Sequence, residues 1–204
     1  MTITPSAASP VDFDTYGPYA PKTPAGKLAP RPGPAFPNRI TADGSGGYRA
    51  EAGRYHLYAA KPCPFCHRVT ITRALKGLDE VISMTVLDPM RDGRGWAFRE
   101  GPGFGLDEVN GFAFLSEAYL ATQPDFEGHY SAPVLWDRKE NRIATNDYRS
   151  LSIDVGTAFD EWARNDIDLY PKRLRPEIDE LNEFLFTRVH TGPYRCGFAT
   201  SQQD

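Results

Sequence analysis

Lys61-Pro-Cys-Pro-Phe-Cys-His-Arg68 is the most informative stretch of this chain. Proline lacks an amide donor and pushes its predecessor out of the helical region, so Pro62 and Pro64 mark a boundary between two elements. Pro64 suits the first position of a helix, where no donor is needed. That puts Cys63 at the helix N-terminus, where unpaired amides and the macrodipole favour a thiolate. Cys66 follows one turn later on the same face, near enough in principle for the two sulfurs to bond. His67 and Arg68 add positive charge beside them. Three cysteines in 204 residues make no disulfide framework, and a pair this close points to redox, nucleophilic or metal chemistry. Structural zinc wants four ligands, commonly in two pairs. Only Cys196 and the scattered His56, His129 and His190 remain, so no metal is expected. Cys63 lies outside any apolar stripe and reads as a nucleophile. Cys66 reads equally well as a resolving thiol or as a small buried hydrophobe.

On either side of this motif the pattern alternates between strands and helices. Residues 54–60 are rich in aromatics and predict a strand. Residues 65–76 predict a helix with Ile71, Ala74, Leu75 and Leu78 as one buried stripe, capped by Gly77. Residues 81–87 predict a second strand, parallel to the first. A glycine-rich loop over 91–112 is fastened by Trp96, Phe98 and Phe104, and a short helix follows over 114–122. Residues 132–136 and 142–145 form a hairpin, after which Asn146 or Asp147 caps a helix running to Trp162. The order β-α-β, then β-β-α, is that of a thioredoxin-like domain, placed here over residues 50–163. That fold implies a cis peptide bond between Ala132 and Pro133, next to backbone that pairs with a bound thiol.

The flanks differ from this body. Nine of the 18 prolines fall between Pro5 and Pro37, which predicts an extended, non-helical arm over residues 1–49. Phe13, Tyr16, Tyr19, Phe36 and Ile40 give that arm enough apolar anchors to lie on the body. After residue 164, a linker ending at Pro171 leads to a predicted helix over 176–190. Its stripe of Ile178, Leu181, Leu185 and Val189 cannot be buried by one helix alone, so residues 164–204 read as an incomplete helical unit. The charge balance is 23 basic against 27 acidic residues, which gives no reason to expect a nucleic-acid or membrane partner. No apolar run approaches the roughly 20 residues that span a bilayer, and the N-terminus has no secretion-signal pattern, so the cytoplasm is the expected location.

The strings CPFCHR (63–68), LKGLDEVI (75–82), GWAF (95–98), APVLWD (132–137) and PYRCGFATSQ (193–202) resemble the xi-class glutathione transferases, the glutathionyl-hydroquinone reductases. The resemblance covers residues 35–204. It implies an α/β thioredoxin-like domain followed by an all-helical glutathione-transferase domain, of which this chain holds only the beginning and so reads as truncated. It also implies a homodimer at full length, with small-molecule thiol and hydroquinone-type aromatic substrates. Cys63 matches the family's nucleophile, Trp96 its glutathione-contacting tryptophan and Pro133 its cis-proline, followed by Val134. Asp147 stands where a glutamate binds the γ-glutamyl end of the thiol, and Tyr194 where a tyrosine lines the hydroquinone pocket. Phe65 and Cys66 replace tryptophan and alanine, His129 replaces an arginine, and Tyr148 replaces a serine. These changes all concern the thiol site, so the expected cosubstrate is glutathione or another low-molecular-weight thiol.

Three functions are therefore open at this point. One is a thiol-dependent reductase or transferase using Cys63 alone. Another is a glutaredoxin-like dithiol oxidoreductase using Cys63 and Cys66, and the third is a binding protein that keeps the fold without catalysis.

Overall fold

The computed structural model describes residues 4–19, 33–193 and 196. In chain order its elements are α1 (Phe13–Tyr16), β1 (Arg39–Thr41), β2 (Gly47–Arg49), β3 (Tyr55–Ala60), α2 (Pro64–Leu75), β4 (Ser83–Leu87), α3 (Leu115–Thr122), β5 (Val134–Asp137), β6 (Arg142–Thr145), α4 (Leu151–Ala158) and α5 (Arg175–Leu185). Among the described residues no helix is long and apolar enough to cross a membrane.

All six residues of β3 are buried, because the strand runs through the interior of a sheet ordered β4-β3-β5-β6 and is covered on both faces. β4 is parallel to β3, while β5 is antiparallel to β3 and β6 to β5, as the strand–helix–strand and hairpin patterns predict. His56 is buried within β3 with both ring nitrogens engaged, at 2.7 Å from Ser83 Oγ and 3.0 Å from Thr85 Oγ1 on β4. Burial takes its pKa down to about 4, and the ring is neutral.

α2 ends in a Schellman motif, with the Gly77 amide bonded to the Ala74 carbonyl and the Leu78 amide to the Arg73 carbonyl. Gly77 has φ +65, a conformation that glycine adopts without a Cβ clash. Of the predicted stripe, however, only Leu78 is buried. Ile71 and Leu75 are 56% and 45% exposed, and the buried face is Phe65, Cys66, Val69, Thr72 and Arg73. The long stems of Arg73 and Lys76 supply the apolar contact that Ile71 and Leu75 were expected to make. Their charged ends leave the core by bonding the Ile82 and Ile167 carbonyls. α2 packs on α4 through this face.

The N-terminal segment lies on the body but is not wholly extended. The proline-free stretch between Pro10 and Pro18 makes the single turn α1, capped by Asp12, whose carboxylate accepts the Thr15 amide at 2.8 Å. Arg94 holds this segment by donating to Ser9 Oγ and the Pro10 carbonyl, and its guanidinium lies 4.1 Å over the Tyr16 ring. The same guanidinium keeps the Asp92 carboxyl well below the usual carboxylate range. Gly93 has to be glycine here, since a Cβ would sit 2.1 Å from the Tyr16 carbonyl oxygen. Further along, residues assigned to the arm form the small parallel pair β1–β2. That pair is fastened to α4 by Asp154, which accepts bonds from the Arg39 guanidinium and from the buried Ile40 amide.

Neither Asn146 nor Asp147 caps α4 directly. The helix begins only at Leu151, and the three residues before it form a turn that Asp147 closes by accepting the Arg149 amide and the Ser150 hydroxyl. It also ends earlier than expected, at Ala158, with a 3-10 turn over Asp160–Trp162. α5 runs on through a π-helical turn, Phe186–His190, and none of its residues is buried.

Candidate active site

Cys63 sits at the N-cap of α2 with φ −96 and ψ 111, the extended conformation that the following Pro64 favours. Its Sγ accepts the Cys66 amide at 3.3 Å and lies 3.4 Å from the Ala132 carbonyl oxygen. The bond between Ala132 and Pro133 is cis, as the fold implied. Cys63 is 5% exposed and Cys66 not at all, so an incoming molecule meets Cys63 and meets it through a narrow opening. Cys66 occupies the inward face of α2 with Val69. His67 is exposed, while Arg68 is half-buried and donates to Asn182 Oδ1 of α5 at 3.1 Å.

The strand end that carries Ala132, Pro133 and Val134 is held by one buried hydroxyl. Tyr119 Oη donates to the Ser131 carbonyl at 2.8 Å and accepts from the Ser131 amide and from Asn146 Nδ2. Asn146 Oδ1 in turn accepts the Phe36 amide. A helix residue, a loop residue and the start of the α4 region thus meet at a single oxygen, and Asn146 links the N-terminal segment to them. Cooperative bonding of this kind gives the loop one conformation.

Two clusters gather the other candidate residues. In the first, the Arg91 guanidinium lies 3.8 Å from the Trp96 ring centroid and 4.0 Å from that of Tyr19. Tyr19 Oη is within hydrogen-bond distance, 3.1 Å, of the His129 ring. Tyr19 thus joins the N-terminal segment to His129 directly and to Trp96 through Arg91. In the second, Phe65 lies 4.8 Å from Tyr148, which stacks on Phe186 at 6.1 Å and 18°. His190 meets Phe65 edge-on at 5.9 Å. Burial first, and then the charge of Arg68, lowers the His190 pKa. Asp147 is half-exposed beside this cluster, its carboxylate engaged in its own turn. Tyr194 lies outside the described residues.

Tyr19 was expected only as an anchor of the arm, and Arg91, Phe186 and His190 were not expected at the site. Each belongs to an element whose position depends on contacts distant in sequence, and nothing local distinguishes Arg91 from a solvated arginine. The pairing of Phe65 with Tyr148 was equally hidden, although both had been selected separately.

No family model matches the chain. It is 41% identical over 157 residues to the glutathionyl-hydroquinone reductase PcpF of Sphingobium chlorophenolicum, a match covering 77% of this chain and 50% of that protein. The solved xi-class transferase of Natrialba magadii superposes with a TM-score of 0.79 at 38% identity, covering 82% of this chain and 52% of that one. The glutathione-bound structure of YqjG, a glutathione transferase homologue from Escherichia coli, gives 0.78 at 41% identity over 83% of this chain and 57% of that one. The chain spans about half the length of these relatives. Identity at this level over most of the described residues, on one shared fold with the cysteine at the helix start, means that the chain belongs to the xi-class glutathione transferases.

Proposed function

We propose that this protein is a thiol-dependent reductase of the glutathionyl-hydroquinone reductase type, with Cys63 as nucleophile. The observation that carries the reading is the sulfur at the start of α2, receiving a backbone amide and facing the carbonyl that precedes a cis-proline. An amide donated to sulfur stabilises the thiolate, the reactive form. The thiolate attacks the glutathionyl sulfur of an aromatic thioether. The sulfur–carbon bond breaks, its electron pair and a proton go to the ring carbon, and a hydroquinone leaves. A second thiolate then attacks the mixed disulfide, restores Cys63 and departs as the symmetrical disulfide. PcpF is named for this activity and YqjG was solved with glutathione bound, which supports glutathione as the thiol.

In this reading Phe65, Trp96, His129, Ala132, Pro133, Val134, Asp147 and Tyr148 hold the thiol. Tyr194 belongs to the acceptor side. The reducing cytoplasm suits a cysteine that has to stay a thiolate, and a homodimer is proposed for the longer proteins of the family.

Cys63→Ser is expected to abolish reduction of glutathionyl-hydroquinone, measured by release of hydroquinone. Cys66→Ser is expected to retain it, because Cys66 is enclosed and the second thiol comes from solution. Complete loss in Cys66→Ser would replace the monothiol cycle with a dithiol one.

A further inference from the structure

The loop that carries Trp96 leaves the sheet beside the cysteine. Cys63 donates its amide to the Ala60 carbonyl at 3.1 Å, Ala60 pairs with Leu87 across β3 and β4, and the Asp88 amide bonds the Ala97 carbonyl at 3.0 Å. These links return the loop to the end of the sheet where α2 starts. It has no helix or strand of its own, so its order comes from what it touches. On one side the Leu115 amide bonds the Trp96 carbonyl at 3.0 Å, and the Phe98 amide bonds the Ala113 carbonyl at 2.9 Å. The N-terminal segment supplies further bonds, from the Ala8 amide to the Phe98 carbonyl and from the Gly93 amide to the Gly17 carbonyl, each 2.9 Å. Asp92 accepts the Asp12 amide at 3.0 Å, and Arg99 donates to the Ser9 carbonyl at 2.8 Å.

These bonds hold the backbone of the loop, and the Trp96 side chain needs a hold of its own. The Arg91 guanidinium lies 3.8 Å from its ring centroid and 4.0 Å from that of Tyr19. A guanidinium is planar and stacks on aromatic faces, and both distances are well inside the roughly 6 Å reach of a cation–π contact. Tyr19 directly follows Pro18, which bridges to Asp92, so the second ring is carried by anchored backbone. Keeping a long side chain against two rings costs rotamer freedom that a solvated arginine retains. Trp96 is 6% exposed, so a small part of its ring is left to meet a ligand, and the orientation of the ring decides which part.

We infer that Arg91 is a positioning residue of the thiol site, whose guanidinium fixes the Trp96 ring and ties it through Tyr19 to the N-terminal segment. This rests on the reading that Trp96 holds the thiol, and it adds what holds Trp96. A ring that is already fixed loses no freedom when the thiol binds, so Arg91 strengthens binding without touching the ligand. Cys63 is set separately, by the start of α2, and its sulfur keeps the Cys66 amide whatever Arg91 does. Loss of Arg91 therefore weakens thiol binding and leaves the chemistry at sulfur unchanged.

The test is glutathione binding by calorimetry, with alkylation of Cys63 by iodoacetamide as the control, on the wild-type chain, Arg91→Ala, Arg91→Lys and Tyr19→Leu. Arg91→Ala is expected to bind glutathione about tenfold more weakly, the order of two cation–π contacts. Arg91→Lys keeps the charge and loses the planar face, and Tyr19→Leu removes one of the two rings, so each is expected to lose about threefold. Alkylation rates are expected to stay at the wild-type value. Acrylamide quenching of Trp96 in the ligand-free protein, read as each chain minus its Trp96→Phe counterpart, is expected to rise in Arg91→Ala. Wild-type affinity in Arg91→Ala, an equal fall in alkylation rate, or no glutathione binding by the wild-type chain overturns the assignment. Weaker binding with unchanged quenching also overturns it, since Arg91 would then contact the thiol itself. If Arg91→Ala fails to fold, Arg91→Lys carries the same comparisons, and wild-type affinity there overturns the assignment. Turnover of glutathionyl-hydroquinone is scored separately. Glutathione binding that depends on Arg91 without turnover ends the reductase reading and leaves the role of Arg91 standing, whereas turnover with binding indifferent to Arg91 does the reverse.

Discussion

His56 shows how a single residue can tie the stability of this fold to pH. Its ring is neutral and doubly bonded inside β3, with a pKa of about 4 against an ordinary 6.5. The unfolded chain therefore takes up a proton below pH 6.5 that the folded chain refuses. Stability is intact above pH 6.5, falls as the pH drops from there to about 4, and loses nothing further to this group below that. The full loss is about 3 kcal/mol. Urea unfolding midpoints measured at intervals from pH 7.5 to 4 are expected to fall with a slope of about one proton. His56→Gln is expected to remove that component, and an unchanged slope in the variant would place the titration elsewhere. Cys63 makes the complementary point at the same scale, because Pro64 after it favours the extended backbone of an N-cap, from which its sulfur accepts the Cys66 amide.

Among the elements, β1 depends on one carboxylate. Asp154 of α4 accepts two nitrogens of Arg39 and the Ile40 amide, and Ile40 is 1% exposed. Asp154→Ala leaves that amide buried without an acceptor and releases the guanidinium. The expected loss is about 1–3 kcal/mol of unfolding free energy, most of it from the orphaned amide, since Arg39 is half-exposed and solvent takes its charge back. Thermal melting of the variant checks this, and Asp154→Asn, which keeps one acceptor, is expected to lose less. α2 teaches the opposite lesson about elements. Its inward face is chosen by what surrounds it, and two arginine- and lysine-length stems displace the isoleucine and leucine that periodicity would place there.

For the molecule as a whole, order is unevenly distributed. The sheet and its helices share one core, whereas α5 has no buried residue, and Leu181 and Phe184 are 55% and 57% exposed. α5 is joined to the body by the Arg68–Asn182 bond, by the Arg149–Glu183 ion pair and by the rings around Phe65. Such a segment opens without unfolding the rest. Hydrogen exchange read by mass spectrometry is expected to show α5 amides exchanging well before those of β3. Equal protection of the two would mean that α5 is held by more than these contacts.

Much of this was legible in the sequence for local reasons. Proline placement set the boundary before α2, the Schellman glycine set its end, and strand composition and the polar turn set the β5–β6 hairpin, because each of these acts over a few neighbouring residues. The place of Cys63 at the start of α2 was legible for the same reason, since position at a helix start is a local property. Which face of α2 turns inward, that α4 starts three residues late, and that Pro10 and Pro18 leave room for a helical turn were settled by packing. The clusters around the site belong to the same class. Arg91 reaches Tyr19 across 72 positions and Phe65 reaches His190 across 125, differences of 91 − 19 and 190 − 65. No local preference encodes such a meeting, because it exists only once the sheet has brought the segments together.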